Sequence, residues 1–461
     1  MSYRVDNPFT GAVWCEIEAM SSAKAMAAVE GSAAAQRRWK TTTLEDRLAL
    51  CERFLEAFAA RGDRVAADIT GQMGKPLRQA RGEVAGMASR ARAMMGLAAD
   101  ALAPHQLPDK AGFIRRIVRE PVGVVLVVAP WNYPLLTAVN AVVPAVLAGN
   151  SVLLKHSSRT PQCADHFAEA FHEAGAPQGL VKALPAPHDV TAEVIGRPEI
   201  GYVAFTGSVP GGHAVYQAAA AGRFIEVGLE LGGKDPAYVA ADADLPSAVE
   251  GLIDGAFYNA GQSCCGIERV YVHRSLYDGF VDRAVELVEA YRLGDPTDDA
   301  TTMGPLAQRG SAEFLEAQVA DAVAKGARLL TGGAPTSVDG RGRFFAPALL
   351  ADCDHTMDIM IEESFGPVLG IAPVDSDEEA VQLMNDSPFG LTASVWTADV
   401  DRAERLAPLV NTGTFFMNRC DYLDPLLAWT GVGDSGRGVS LSHLGFGPMT
   451  RAKSIHFSTG S

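Results

Sequence analysis

Residues 122–155 read VGVVLVVAPWNYPLLTAVNAVVPAVLAGNSVLLK, and their texture decides the fold. Residues 122–128 are an apolar, largely β-branched run, as expected of a strand buried on both faces. A breaker-rich turn follows, Ala129-Pro130-Trp131-Asn132-Tyr133-Pro134. Residues 135–147 are apolar and long enough for a helix, which Gly149 and Asn150 close, and residues 151–154 begin the next buried strand. Downstream, residues 200–205 read as a strand running into the glycine turn Thr206-Gly207-Ser208, with further strands at 224–227 and 236–240. Strand, helix and strand at this spacing are the pattern of a doubly wound parallel sheet. Beyond about residue 233 a second set begins: a helix over 248–258, a strand over 269–272 and a helix over 277–291. Upstream, three helices are expected: an Ala-rich one capped by Ser21 and Ser22 and ending near Trp39, one over 43–60, and one over 78–102. Residues 332–342 read as a turn-rich surface loop.

The bulk numbers are those of an ordinary globular chain: 461 residues, 48% hydrophobic and 20% charged. That length suits two or three domains. The net charge of −16 excludes nucleic acid or an anionic membrane as the main partner, since both need a basic face. No apolar run approaches the roughly 18 residues of a membrane span, and the N-terminus carries no secretory pattern. Seven cysteines, none at metal-ligand spacing, point to free thiols in a reducing cytoplasm.

Four segments carry chemistry. Cys264 and Cys265 follow the turn Asn259-Ala260-Gly261-Gln262-Ser263, where a thiol can sit beside a free backbone N–H. A buried Cys is more often a small hydrophobe, so this segment alone decides little. Glu230 ends an apolar strand just before Leu231-Gly232-Gly233-Lys234. Burial raises a carboxyl pKa, which suits a general base, although pairing with Lys234 is the ordinary alternative. Asn132 can donate to an oxyanion, or simply make the turn. The segment Phe205-Thr206-Gly207-Ser208-Val209-Pro210-Gly211-Gly212 marks a strand-to-helix junction. There Gly207 and Gly212 permit close backbone approach, and the helix N-terminus can receive a pyrophosphate. Lys155 lies at the C-terminal end of a strand, where such sheets hold ligands.

Taken together, PWNYP, LLK, FTGS, ELGGK, NAGQSCC and EESFGPV resemble, in order and spacing, the motifs of the aldehyde dehydrogenase superfamily. Glu230 and Cys264 are 34 residues apart, as that family's base and nucleophile are. The likeness runs from Asn7-Pro8-Phe9-Thr10-Gly11 to Asp434-Ser435-Gly436-Arg437-Gly438, without an N-terminal extension. LLKH and TGSV resemble the short members that act on succinate semialdehyde. The resemblance implies that Cys264 is the nucleophile and Cys265 a spectator, that Asn132 and the Cys264 N–H form an oxyanion hole, and that Glu230 is the base. It implies NAD or NADP as cofactor, held by Lys155 at the adenosine ribose, Ser208 at the pyrophosphate over the helix at Gly212, and Glu363 at the nicotinamide ribose. Phe365 would pack beside the nicotinamide; Trp131 and Gly207 complete the cofactor set. The implied fold is α/β: a Rossmann-like cofactor-binding domain (1–102 and 121–232), a second α/β catalytic domain (233–449), and a small β bridging element (103–120 and 450–461). That last element, a hairpin plus the tail, implies a homodimer or homotetramer.

Four positions depart from the family pattern. Ser158 stands where many NAD-preferring relatives carry a glutamate, and Arg159 follows it, so a 2′-phosphate is expected to be tolerated or bound by both. Asn140 and Tyr258 stand where relatives specific for succinate semialdehyde place arginines. Tyr133, Tyr258 and Trp429 stand where the family lines its substrate tunnel with aromatics, which favours an apolar, aromatic or amino aldehyde. Gly433 replaces the family's usual lysine. The alternatives are a succinate-semialdehyde dehydrogenase, a CoA-acylating enzyme, a cysteine hydrolase using a histidine such as His273, and a non-catalytic binding protein.

Overall fold

A computed structural model describes residues 2–460. The chain opens with an antiparallel hairpin, Ser2–Asp6 with Val13–Glu18, that the sequence reading passed over. Four helices follow: α1 (Ser22–Trp39), α2 (Leu44–Ala60), α3 (Gly62–Met73) and α4 (Leu77–Leu102). Ser21 caps α1 through Lys24 N, and Thr43 opens α2 with a reciprocal box to Asp46. The unforeseen helix, α3, buries the stripe Val65, Ala66, Ile69 and Met73 between polar residues, and Gly74 ends it at φ 85°. A left-handed φ there favours glycine.

The run read as the deciding strand is one: Val124–Ala129 is buried at every position and lies inside a six-stranded sheet. Its parallel neighbours are Ser151–His156 on one side and Ile200–Thr206 on the other. Val181–Ala183 lies outside the first and Glu226–Glu230 outside the second. The strand order therefore reverses beside Val124–Ala129. The turns leaving Val124–Ala129 and Ile200–Thr206 diverge there and open a crevice, the usual ligand position in such sheets. Helix α5 (Pro134–Leu147) leaves the first of those turns, starting on a proline where no N–H is needed.

A second, seven-stranded sheet holds Asp235–Val239 between Ile267–His273 and Thr392–Trp396, all parallel. Only the edge strand Arg328–Thr331 runs antiparallel, against Ala348–Ala351. Segment 332–342, expected as a loop, contains most of a two-stranded hairpin, Pro335–Val338 with Arg341–Phe345. Residues 436–449 were expected with the second unit. Instead, Gly436–Arg437 pairs with Glu226–Glu230 on the edge of the first sheet, and Leu441, Phe446 and Met449 join the first sheet's core. A backbone edge left open beside Glu230 is closed this way, which returns the chain to the first layer before the tail.

The tail Thr450–Ser458 pairs over nine residues with Phe113–Pro121, which also pairs with His105–Gln106. This is the expected hairpin plus tail. Among the described residues, no helix is long and apolar enough to cross a membrane.

The helical layer rests on an aromatic cluster. Phe54 is fully buried and stacks on Phe171 at 4.0 Å between ring centroids, with Phe58 at 5.6 Å and Phe167 at 5.8 Å. Phe54→Ala should cost about 3–5 kcal/mol in urea unfolding at unchanged slope. A loss below about 1 kcal/mol would show that the cluster is not a principal tie between α2 and the helix Gln162–Glu173.

Candidate active site

The turn after Val124–Ala129 is fixed from below by α4 and the residues before it. Lys75 and Glu83 are both almost wholly buried and form an ion pair at 2.5 Å. The Lys75 ammonium also donates to the Asn132 carbonyl at 2.7 Å and lies 3.9 Å from the Tyr133 ring centroid. The other Glu83 oxygen accepts from the Leu135 N–H at 2.8 Å, in the first turn of α5. The Asn132 side chain is thereby aimed at the loop carrying Cys264, and its amide donates to the Gln262 carbonyl at 3.2 Å. An amide has two N–H groups, so one remains.

The cysteine loop is equally constrained. Asn259 and Ala260 take left-handed backbone angles (φ 53° and 56°) at the end of the helix Leu245–Phe257. The Asn259 amide donates to the carbonyls of Asn132 (3.3 Å) and Gln262 (3.1 Å). Gln262 donates back to the Asn259 carbonyl at 3.0 Å and accepts from Ala307 N at 2.9 Å. The two cysteines then diverge. Cys265 is buried, and its thiol donates to Asp421 at 3.1 Å. The adjacent Cys264 sulfur and burial push the Cys265 thiol well above its ordinary value, so it stays protonated. Cys264 is partly exposed, and it lies where two cavities meet.

Glu230 ends its strand at the wall of one of these cavities. Burial raises its pKa, opposed by hydrogen bonds from Ser440 and from Thr206 (3.3 Å). The two glycines after it are required by close approach. A Cβ on Gly232 would stand 2.3 Å from a Glu363 oxygen, and one on Gly233 would stand 2.6 Å from the Cys264 carbonyl. Lys234, the ordinary partner suggested for Glu230, is instead paired with Glu268 at 2.6 Å. Glu363 accepts from Gly233 N at 3.1 Å, and burial with the nearby Glu268 charge pushes its carboxyl up to about 8.

The first cavity, about 490 Å³, is lined by all four expected substrate residues, Tyr133, Asn140, Tyr258 and Trp429, together with Glu230 and Cys264. The second, about 510 Å³, runs into the crevice of the first sheet. It gathers Trp131, Lys155, Ser158, Gly207, Ser208, Glu363 and Phe365, with Asn132 and Cys264 at one end. Trp131 and Phe365 meet edge to face at 5.4 Å. Ser208 caps the helix Val209–Ala220, accepting from Gly211 N at 3.3 Å. Gly212 does not line this cavity. A Cβ there would stand 2.8 Å from the Leu231 side chain, so its role is to let the helix pack.

The cavity fits a dinucleotide. Burial alone lowers the Lys155 ammonium to about 8, and among the described residues it has no carboxylate partner. A buried, unpaired ammonium calls for acceptors such as ribose hydroxyls. Glu363 is likewise left with one backbone donor.

Two expectations are corrected. Arg159 does not face the cofactor cavity: its guanidinium forks onto the side chain and carbonyl of Asp6, in the N-terminal hairpin. Arg309 and Arg343 join the same carboxylate at 2.8 Å and 2.6 Å. Against burial, Arg159 and Arg343 hold Asp6 well below the usual carboxylate range. Of Ser158 and Arg159, Ser158 alone lines the cavity. Second, the substrate cavity is not free of cations. Arg90, from α4, lines it, nine-tenths buried. Sequence reasoning missed Lys75, Glu83 and Arg90. The signal was there: Glu83, Met87, Arg90 and Met94 fall on one stripe of α4, so two charges interrupt an apolar face. Among the described residues no histidine lines the substrate cavity, and His273 bonds only Ser275. The other cavity on Cys264 is lined by His188, and among the described residues no hydrogen bond joins that histidine to the thiol.

A thiol shared by a dinucleotide crevice and a second cavity, with a buried carboxyl on the wall of the second, is an arrangement that suits an oxidoreductase. The chain belongs to the aldehyde dehydrogenase family, whose model matches residues 1–455. It is 37% identical to the succinate-semialdehyde dehydrogenase [NADP(+)] of Mycolicibacterium paratuberculosis, over 97% of this chain and 95% of that one. It is 36% identical to the succinate semialdehyde dehydrogenase [NAD(P)+] Sad of Escherichia coli, over 91% and 90%. A solved structure of a succinate-semialdehyde dehydrogenase from Burkholderia pseudomallei superposes with a TM-score of 0.95 at 32% identity, covering 99% and 95%.

Burial pushes the Asp421 carboxyl up to about 7, despite donors in Cys265 and Ser263. Its unfolded value is near 3.8, so the folded state holds the proton more tightly. The stabilisation this gives is complete below about pH 4 and is lost as pH rises to about 7. Asp421→Asn does not lose it. Its Tm relative to the unsubstituted protein should therefore climb by a few degrees between pH 5 and pH 8. A pH-independent difference would contradict this account of Asp421.

Proposed function

We propose that this chain oxidises an aldehyde to the free carboxylic acid with NADP or NAD, using Cys264 as nucleophile. The supporting observation is the position of Cys264, the one thiol on both cavities. The Cys264 thiolate adds to the aldehyde carbon, giving a thiohemiacetal. The free Asn132 N–H and the Cys264 backbone N–H stabilise its oxyanion, each worth about 3–4 kcal/mol in comparable sites. A bound nicotinamide would take the hydride that leaves the adduct carbon, so that the carbonyl re-forms as a thioester on Cys264. Glu230 then takes a proton from water, which attacks the thioester carbon and releases the acid and the thiolate. This base favours hydrolysis over transfer to CoA.

Lys155 and Ser208 hold the adenosine ribose and pyrophosphate, and Glu363 and Phe365 the nicotinamide end. Among the residues lining that cavity, Glu363 is the sole carboxylate, so nothing at Ser158 repels a 2′-phosphate. The relatives' names, with NADP(+) and NAD(P)+, agree. Their substrate, succinate semialdehyde, is the first to try, beside an aromatic and an amino aldehyde. The outer edge of Thr450–Ser458 is largely exposed and open to pairing, which supports a homodimer or homotetramer. Seven free cysteines support a reducing cytoplasm.

Cys264→Ala should abolish turnover and keep cofactor binding. Glu230→Gln should leave a stoichiometric first burst of reduced nicotinamide and slow steady turnover by roughly 10²–10⁴-fold. In the unsubstituted enzyme steady turnover should rise with pH through the raised Glu230 value. A burst lost in step with steady turnover would remove Glu230 from the hydrolytic step. Ser158→Glu should weaken NADP binding by at least about tenfold, with NAD nearly unchanged. A native NADP affinity orders of magnitude below that for NAD would contradict the reading of Ser158.

A further inference from the structure

We infer that Arg90 is the anchor for a carboxylate at the end of the substrate remote from its aldehyde. This rests on the reading of Cys264 as nucleophile and specifies what reaches it.

Arg90 shares the 490 Å³ cavity with Cys264 and Glu230. Its Nη1 donates to the Leu136 carbonyl at 2.8 Å and to the Asn140 side-chain oxygen at 3.1 Å, both on α5. These bonds fix the plane of the guanidinium. Among the described residues, Nε and Nη2 have no hydrogen-bond partner, and Arg90 is in no ion pair. A guanidinium presents five N–H donors in a rigid fork, so one edge remains for an acceptor.

The carboxylates nearby are engaged elsewhere. Glu83 is spent on Lys75 and the first turn of α5. Glu230 is held by Ser440 and Thr206. Asp421 is held by Ser263 and Cys265 and carries its proton up to about pH 7. Burial makes the charged form of Arg90 costly, and the charges of Glu230, Glu83 and the two cysteines only partly offset this, none of them bonded to the guanidinium. A buried cation without a paired anion is unfavourable unless a ligand brings one. A planar carboxylate matches the open edge. The substrate is then an aldehyde that carries a carboxylate at its other end.

Arg90 also ties α4 to α5 through Leu136, so a purely structural role is the competing explanation. The test compares succinate semialdehyde with butanal, which has the same four-carbon chain without the charge. The unsubstituted enzyme should prefer succinate semialdehyde. Arg90→Met should lower kcat/KM for it by roughly 100-fold, mainly through KM, and leave butanal within about threefold. Arg90→Lys should recover part of the loss. An equal fall for both aldehydes, or no fall, overturns the proposal. If Arg90→Met does not fold, competition against butanal in the unsubstituted enzyme decides. The anion 4-hydroxybutyrate should inhibit and neutral butane-1,4-diol should not; equal inhibition, or none by the anion, overturns it. An unsubstituted enzyme that oxidises neither aldehyde sinks the reading of Cys264 instead. In that case calorimetric binding of 4-hydroxybutyrate, present in the native protein and weakened in Arg90→Lys, still supports the anchor, and its absence removes it.

Discussion

The buried pair of Lys75 and Glu83 is the interaction on which the site depends. Removing two charges from water is costly, and this pair is retained where apolar side chains could have filled the space. Its value lies in what else the two groups hold. The ammonium bonds the Asn132 carbonyl and lies against the Tyr133 ring, and the carboxylate bonds the start of α5. One ion pair thus sets the exit from the central strand, the aim of the Asn132 amide and the entry of the helix that walls the cavity at Cys264. Breaking one member of such a pair leaves the other buried and uncompensated, at about 3–5 kcal/mol. Position is therefore protected by a steep penalty, which suits groups that must be aligned before the reaction begins.

The sheets were legible because their strands are buried on both faces and cannot be anything else. Val124–Ala129 and Ser151–His156 contain no exposed position, and the turns that leave strands on the crevice carry the glycines and the capping serine that such turns need. The residues meeting at Cys264 were legible as types at a spacing. What a spacing does not disclose is the partner. Arg159 follows Ser158 in sequence, yet its guanidinium is claimed by Asp6, 153 residues away. Lys75 reaches Asn132 across 57 residues, and Arg90 reaches Asn140 across 50. The N-terminal hairpin was missed because each strand is short and one is mostly exposed, so neither shows a buried face. Residues 436–449 were misplaced because chain order says nothing about a segment that returns to an earlier sheet.

The same limit bears on the substrate tunnel. Tyr133, Tyr258 and Trp429 do line it, and read as a set they invite a cation to sit among their rings. In the folded chain a cation already does. Lys75 lies over Tyr133, and its ammonium is held there by Glu83 and the Asn132 carbonyl. That ring face is not available to a substrate ammonium. Asp421, the carboxyl best placed to attract one, is kept largely neutral by burial up to about pH 7. The charge left facing the tunnel with an open hydrogen-bonding edge is the guanidinium of Arg90. Asn140, which as a residue type argued against an anionic substrate, turns out to be its support: a neutral amide oxygen orients a neighbouring arginine without cancelling its charge. The aromatic rings then act as low-dielectric walls that strengthen the field of that cation.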